Sequence, residues 1–248
     1  MHQTHEKWLR DVDETSRLKQ DNFLNHIASR LRRSRQTEMP RQPFRGAPEF
    51  WADFNLPQED KEEMFSRHFT AAGGHVLRAG CMEEAGRMIA GKAAELGARL
   101  ILRQDQPILA ELNLESALPE TEIIVWNRTG EAELLQTWTE RTAEADIGII
   151  QADYAVAYTG SIATLSGKQK GRSVSLLPTV LFALIPTSSL VTRLGEALIN
   201  FDRAGREGLP AGIHFISGPS RSADIENDLT IGVHGPGIVF AVLVDDQS

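Results

Sequence analysis

The residues best suited to chemistry lie in three glycine-rich stretches in the second half of the chain. In the first, YTGSIATLSGKQKGRS from Tyr158 to Ser173, the cations Lys168, Lys170 and Arg172 stand among the turn residues Thr159, Gly160, Ser161, Gly171 and Ser173. Backbone N–H groups of such turns converge on anions, and the side chains add full positive charge, so the stretch suits a carboxylate or a phosphate. Its spacing is not that of a phosphate-binding P-loop, because the position five residues before Gly167 is Ile162. It is not a dinucleotide fingerprint either, because no glycine stands two residues after Gly160. Two readings stand: an anion-binding rim built on the Gly160 and Gly171 turns, or a hairpin tip whose cations are solvated.

In the second stretch, FISGPSRSADIEND, a strand ends at Gly218-Pro219, and Ser220 or Ser222 is placed to cap a short helix beginning near Asp224. Gly218 and Ser220 join the candidate ligand-binding residues. Asp224 and Glu226 suit a general acid or base or a metal, and equally suit helix capping and pairing with Arg221. In the third, GVHGPG, His234 sits between glycine turns just before a final strand, where an imidazole does acid–base work or bonds its own loop. The remaining histidines, His2, His5, His26, His68, His75 and His214, show no zinc-binding spacing, so no metal site is proposed from them. There is no G-x-S-x-G elbow, and Cys81 precedes the acidic run Met82-Glu83-Glu84, which does not favour a thiolate.

Composition narrows the partners. The 248-residue chain carries a net charge of −8, against a surface built to hold nucleic acid, so any anion site is local. The basic loop also lacks interleaved aromatics on which bases would stack. A single cysteine excludes an internal disulfide and a multi-cysteine cluster or zinc site. No apolar run reaches the roughly 20 residues of a membrane span, and the polar amino terminus is unlike a secretory signal, which makes the cytoplasm the expected location.

The elements that must position these residues follow from periodicity. The first 35 residues read as a helix with Leu18, Phe23, Leu24, Ile27 and Leu31 on one side and Arg30, Arg32, Arg33 and Arg35 at its negative pole. From Gln36 to Pro57, four prolines interleave with Phe44, Phe50, Trp51 and Phe54, which reads as an extended strap whose aromatics dock on the main body or another subunit. We therefore place an N-terminal helix and strap at 1–57 and an α/β domain at 58–248. Within the latter, helices at Lys61–Ala72, Met82–Leu96, Glu131–Glu144 and Ser189–Ala204 alternate with strands HVLRA, RLILR, EIIVWN, DIGII, SIATL, LFALIP, IHFIS and GIVFAVLVDD. Strands apolar on both faces, alternating with helices, predict a mainly parallel sheet covered by helices. Ligands of such sheets bind beyond the carboxyl ends of the strands.

Two long motifs in order, TGSIATLSGKQKGRSVSLLPTVLFALIP and HFISGPSRSADIENDLTIGVHGP, together with the opening NFLNHIASRLRR, closely resemble the lactate utilization protein C family, also called the LUD-domain family. The resemblance implies a fold similar to the group of ribose-5-phosphate isomerase, glucosamine-phosphate deaminase and CoA-transferase. It also implies a component needed for oxidation of L-lactate to pyruvate and growth on lactate. The implied partners are iron–sulfur and oxidoreductase subunits, with the clusters on those partners and no cofactor in this chain. Family members commonly carry a glutamate before the turn at Thr159-Gly160-Ser161, and related transferases use such a residue covalently. Here the position is Tyr158, and a phenol is no substitute for a carboxylate nucleophile. Binding or assembly is therefore expected rather than independent turnover; the alternatives are a free-standing enzyme on a phosphorylated or CoA-linked small molecule, or a scaffold and regulatory subunit.

Overall fold

The computed structural model describes residues 2–35, 53–126, 138, 140–223 and 229–246. These fall in two compact units, Met1–Ala52 and Asp53–Ser248. The first contains helix α1 (His2–Arg30), closed by Arg32 in the left-handed region at φ 50°. Its apolar side chains Trp8, Leu9, Val12, Phe23 and Leu31 are exposed. Of the strap aromatics, Phe44, Phe50 and Trp51 lie outside the described residues. Phe54 belongs to the second unit and meets the Tyr158 ring edge-on at 5.9 Å. No described helix is long and apolar enough to cross a membrane.

The second unit begins with α2 (Gln58–Ala71) and β1 (His75–Ala79), followed by α3 (Met82–Glu95), β2 (Leu100–Gln104), the short helices α4 (Pro107–Ala110) and α5 (Leu114–Ala117), and β3 (Glu122–Trp126). Residues 140–144 are helical and lead into β4 (Ile147–Gln151), so the first part of the helix expected from Glu131 lies outside the described residues. Then come β5 (Tyr154–Val156), β6 (Ser161–Leu165), the one-turn α6 (Ser173–Leu176) and β7 (Val180–Pro186). A 3-10 turn at Thr187–Ser189, β8 (Leu190–Val191) and α7 (Leu194–Gly208) follow. The chain closes with β9 (Ile213–Ile216), β10 (Arg221–Ala223), β11 (Leu229–Ile231) and β12 (Ile238–Val244).

Six strands form one parallel sheet in the order β1-β12-β7-β4-β2-β3. Its central strand β7 is buried at every position, as expected of a strand covered on both faces. Alternation divides its side chains. Phe182 and Leu184 join a core with Ile89 of α3, Leu109 and Leu114, while Leu181, Ala183 and Ile185 join a second core with Phe65 and Phe69 of α2. The second face is shared between α2, α6 and a small four-stranded sheet in the order β8-β5-β6-β9, into which SIATL and IHFI are set. Hydrophobic period alone does not distinguish that sheet from further strands of the main one.

Two local readings are corrected. The expected helix from Ser189 starts only at Leu194, because Glu196 reaches back to accept from the Arg193 N–H at 3.0 Å and fixes the first turn there. Ser222 lies in the antiparallel β10–β11 ladder opposite Thr230 rather than at a helix cap, and the short helix expected near Asp224 lies outside the described residues.

Candidate functional site

Strand β6 separates the candidate residues into two clusters about 13 Å apart, the length of its five residues. At its start, Tyr158 and Thr159 are exposed and Gly160 and Ser161 are buried. Gly160 adopts φ +58°, and a Cβ there would fall 2.6 Å from the Phe69 nitrogen, so the glycine is required to let this turn lie against α2. Its N–H is directed to the Ala157 carbonyl at 3.3 Å, and His68 Nδ1 lies 3.1 Å from the same carbonyl. Ser161 Oγ is 2.7 Å from Ser217 Oγ. Gly218, at φ +97°, packs on Ala72 in the same way, and the Ser220 N–H bonds the Pro236 carbonyl at 2.9 Å. At this end of β6, Gly160, Ser161, Gly218 and Ser220 are thus engaged with other parts of the fold, while Tyr158 and Thr159 are exposed. His234 is exposed in the loop between β11 and β12. Asp224 and Glu226 lie outside the described residues.

At the other end, residues of the Ser166–Ser173 loop line an open groove of about 1030 Å³ together with Trp126 and Ala211. The tip is closed by reciprocal bonds, Gly167 N–H to the Lys170 carbonyl at 3.1 Å and Lys170 N–H to the Gly167 carbonyl at 3.2 Å. It is fastened to the carboxyl end of β2 where the Asp105 N–H donates to Gln169 at 3.1 Å. Gly171 lies flat on the Trp126 ring; a Cβ there would be 2.1 Å from the indole. The groove thus stands where an open parallel sheet offers a ligand site, beyond the carboxyl ends of β2 and β3.

The three cations do not act alike. Lys170 Nζ sits 2.6 Å from Asp153 Oδ1, with the two side chains only 20% and 16% exposed, while Asp153 Oδ2 accepts the Leu165 N–H at 2.8 Å. Lys170 is thereby neutralised and holds the loop to β6. Lys168 and Arg172 are exposed along the groove, and among the described residues neither side chain meets a carboxylate. Both readings of this loop thus reduce to Lys168 and Arg172, with the Gly160 turn at the other end of β6.

Sequence reasoning passed over His214. The antiparallel pairing of β6 with β9 puts it opposite Thr164, and its Nε2 lies 2.9 Å from Ser166 Oγ. Burial, and secondly the positive charge of Arg172, lower its pKa below the ordinary histidine value, so the ring is neutral at pH 7. Beside the pair, the buried Thr164 hydroxyl and the Trp126 indole N–H have no partner among the described residues. No motif could have shown this pair, because its members are 48 residues apart and meet only through strand register.

Two further cavities, at the carboxyl ends of β1, β12 and β7, are acidic. One is lined by Glu111, Asp245 and Asp246, and the other by Glu59, Glu62 and Asp245 together with Arg78, which pairs with Glu62 at 3.6 Å. Burial acts to raise the Asp246 pKa, but hydrogen bonds from Ser188 and Thr187 prevail and lower it, keeping the carboxylate charged. Among the described residues no group of three or more His, Cys, Asp or Glu is placed to hold a metal. The Ser166–Ser173 groove, by contrast, is lined by Lys168, Lys170 and Arg172 and by no carboxylate among the described residues.

The chain matches the LUD domain model over residues 62–244. It is 36% identical to lactate utilization protein C of Halalkalibacterium halodurans over 232 residues, 92% of this chain and 99% of that one. It is 33% identical to lactate utilization protein C of Bacillus subtilis over 246 residues, covering 92% of this chain and 97% of that protein. Among solved structures it is similar to a DUF162 family protein from Deinococcus radiodurans, with a TM-score of 0.54, 17% identity, and coverage of 76% of this chain and 99% of that one, a likeness of fold.

Proposed function

Because the chain belongs to the LUD domain family, we propose that it serves lactate utilization as a cytoplasmic component needed for oxidation of L-lactate to pyruvate, holding a small carboxylate or phosphate in the Ser166–Ser173 groove. Kinship with proteins named for lactate utilization, over nine-tenths of the chain, supports the role. The observation that carries the site is the division of charge within one loop: Lys170 is spent on Asp153, while Lys168 and Arg172 face the groove. With a single, exposed cysteine at Cys81, the chain suits the component that bears no iron–sulfur cluster and works beside iron–sulfur and oxidoreductase subunits. Tyr158, half exposed at the packed end of β6, supports binding rather than covalent carboxylate chemistry at that turn.

Deleting the gene and measuring growth on L-lactate tests the role: growth is expected to fail on L-lactate and to continue on glucose. Complementation with a Lys168→Ala/Arg172→Ala chain is expected to leave growth on lactate impaired although the protein accumulates normally. Unimpaired growth of the deletion strain, with no second copy of the gene present, would remove the assignment.

A further inference from the structure

The groove combines two kinds of hydrogen-bonding equipment. Lys168 and Arg172 supply donors with full charge, and the Ser166–His214 pair supplies a neutral donor and acceptor at 2.9 Å from each other. A carboxylate alone needs only the first kind, because all its oxygens accept. Monohydrogen phosphate also carries one donating P–OH, which makes it the competing ligand for this equipment. A hydroxyl is the group that both donates and accepts, and a hydroxyl beside a carboxylate matches a neutral pair beside two cations.

We propose that the Ser166–His214 pair reads the hydroxyl of a short 2-hydroxycarboxylate whose carboxylate is held by Lys168 and Arg172. This rests on the lactate role proposed above and deepens it by assigning recognition of the substrate's second oxygen. The groups facing the imidazole are Ser166 from the loop after β6, Thr164 from β6 across the strand pair, and Arg172 from the start of α6. Ser166 lines the groove itself, so its hydroxyl is the direct contact, and His214 is a positioning residue that sets which way that hydroxyl points. The ring remains an acceptor at neutral pH, for the burial and the Arg172 charge noted above, which leaves Ser166 free to turn its proton toward either the ring or the ligand.

The test is calorimetric titration of the full chain with L-lactate, propionate, which lacks the hydroxyl, and inorganic phosphate. L-lactate is expected to bind about tenfold more tightly than propionate, the worth of one hydrogen bond, and more tightly than phosphate. Ser166→Ala is expected to weaken L-lactate binding about tenfold and so abolish that preference, and Ser166→Thr, which keeps a hydroxyl, to retain it. Equal affinities for lactate and propionate in the wild type, both lost in Lys168→Ala/Arg172→Ala, would overturn the hydroxyl reading and leave the carboxylate rim standing. Tighter binding of phosphate, or no binding of lactate, would also overturn it, while the pathway role is judged separately by growth of the deletion strain.

Discussion

Lys168 and Lys170 are two residues apart and carry the same charge, yet the fold uses them for opposite purposes. Lys170 closes a nearly buried ion pair with Asp153, whose other oxygen takes the Leu165 N–H, so its work is to anchor the loop. Lys168 is exposed on the groove and anchors nothing among the described residues. Removing one partner of a largely buried pair leaves the other charge desolvated, whereas removing an exposed cation costs little. Lys170→Ala is expected to lower stability by about 1–3 kcal/mol, and Lys168→Ala to stay within about 0.5 kcal/mol of the wild type. Urea unfolding of the two variants decides this. Equal losses would mean that the loop does not depend on Asp153.

At the scale of elements, the groove exists because the loop after β6 lies on the end of β3. Gly171 permits that contact, since its missing side chain is where the Trp126 ring sits, and Trp126 in turn packs on Trp138 at 5.4 Å between centroids. A methyl group at 171 has no room. Gly171→Ala is expected to displace the indole, shift tryptophan emission, cost about 1–3 kcal/mol by overpacking, and weaken ligand binding in the groove. Unaltered emission and stability would show that the ring is not held against the loop. The main elements were legible in the sequence because their signal is local: β7 announces itself as a continuous apolar run, and Met82 to Glu95 by its three-and-four spacing. The basic loop was legible for the same reason. What stayed hidden depends on pairing between distant segments. The partner of Lys170 is 17 residues away and that of Ser166 is 48 residues away, and only the register of β6 with β5 and β9 brings them together. The spread of candidate residues over both ends of β6 had the same origin, since neighbours in sequence along an extended strand are not neighbours in space.

For the whole molecule, the question is where the folding unit that owns the groove begins. Every residue lining the groove falls between Trp126 and Ala211, inside the unit Asp53–Ser248 and inside the 62–244 span matched by the LUD domain. The chain before α2 still matters to that unit. Thr192 is fully buried, and its hydroxyl donates to Asn55 Oδ1 at 2.9 Å and accepts the Leu56 N–H at 3.0 Å, while Phe54 covers the edge of Tyr158. A domain cut at 58, the boundary expected from the proline strap, would remove both of those bonds and the segment that makes them; we propose instead that the domain starts at 53. The loss of two hydrogen bonds costs about 1–3 kcal/mol. A chain of residues 53–248 is therefore expected to fold and to keep the ligand affinity of the full protein, and a chain of residues 58–248 to be less stable by at least that amount. Thr192→Val in the longer fragment separates the causes: it removes the hydroxyl but leaves Phe54 in place, so it is expected to reproduce part of the loss without exposing Tyr158. Thermal unfolding of the three proteins, followed by titration with L-lactate, is the measurement. Equal stability of the 53–248 and 58–248 chains would return the boundary to the strap's end.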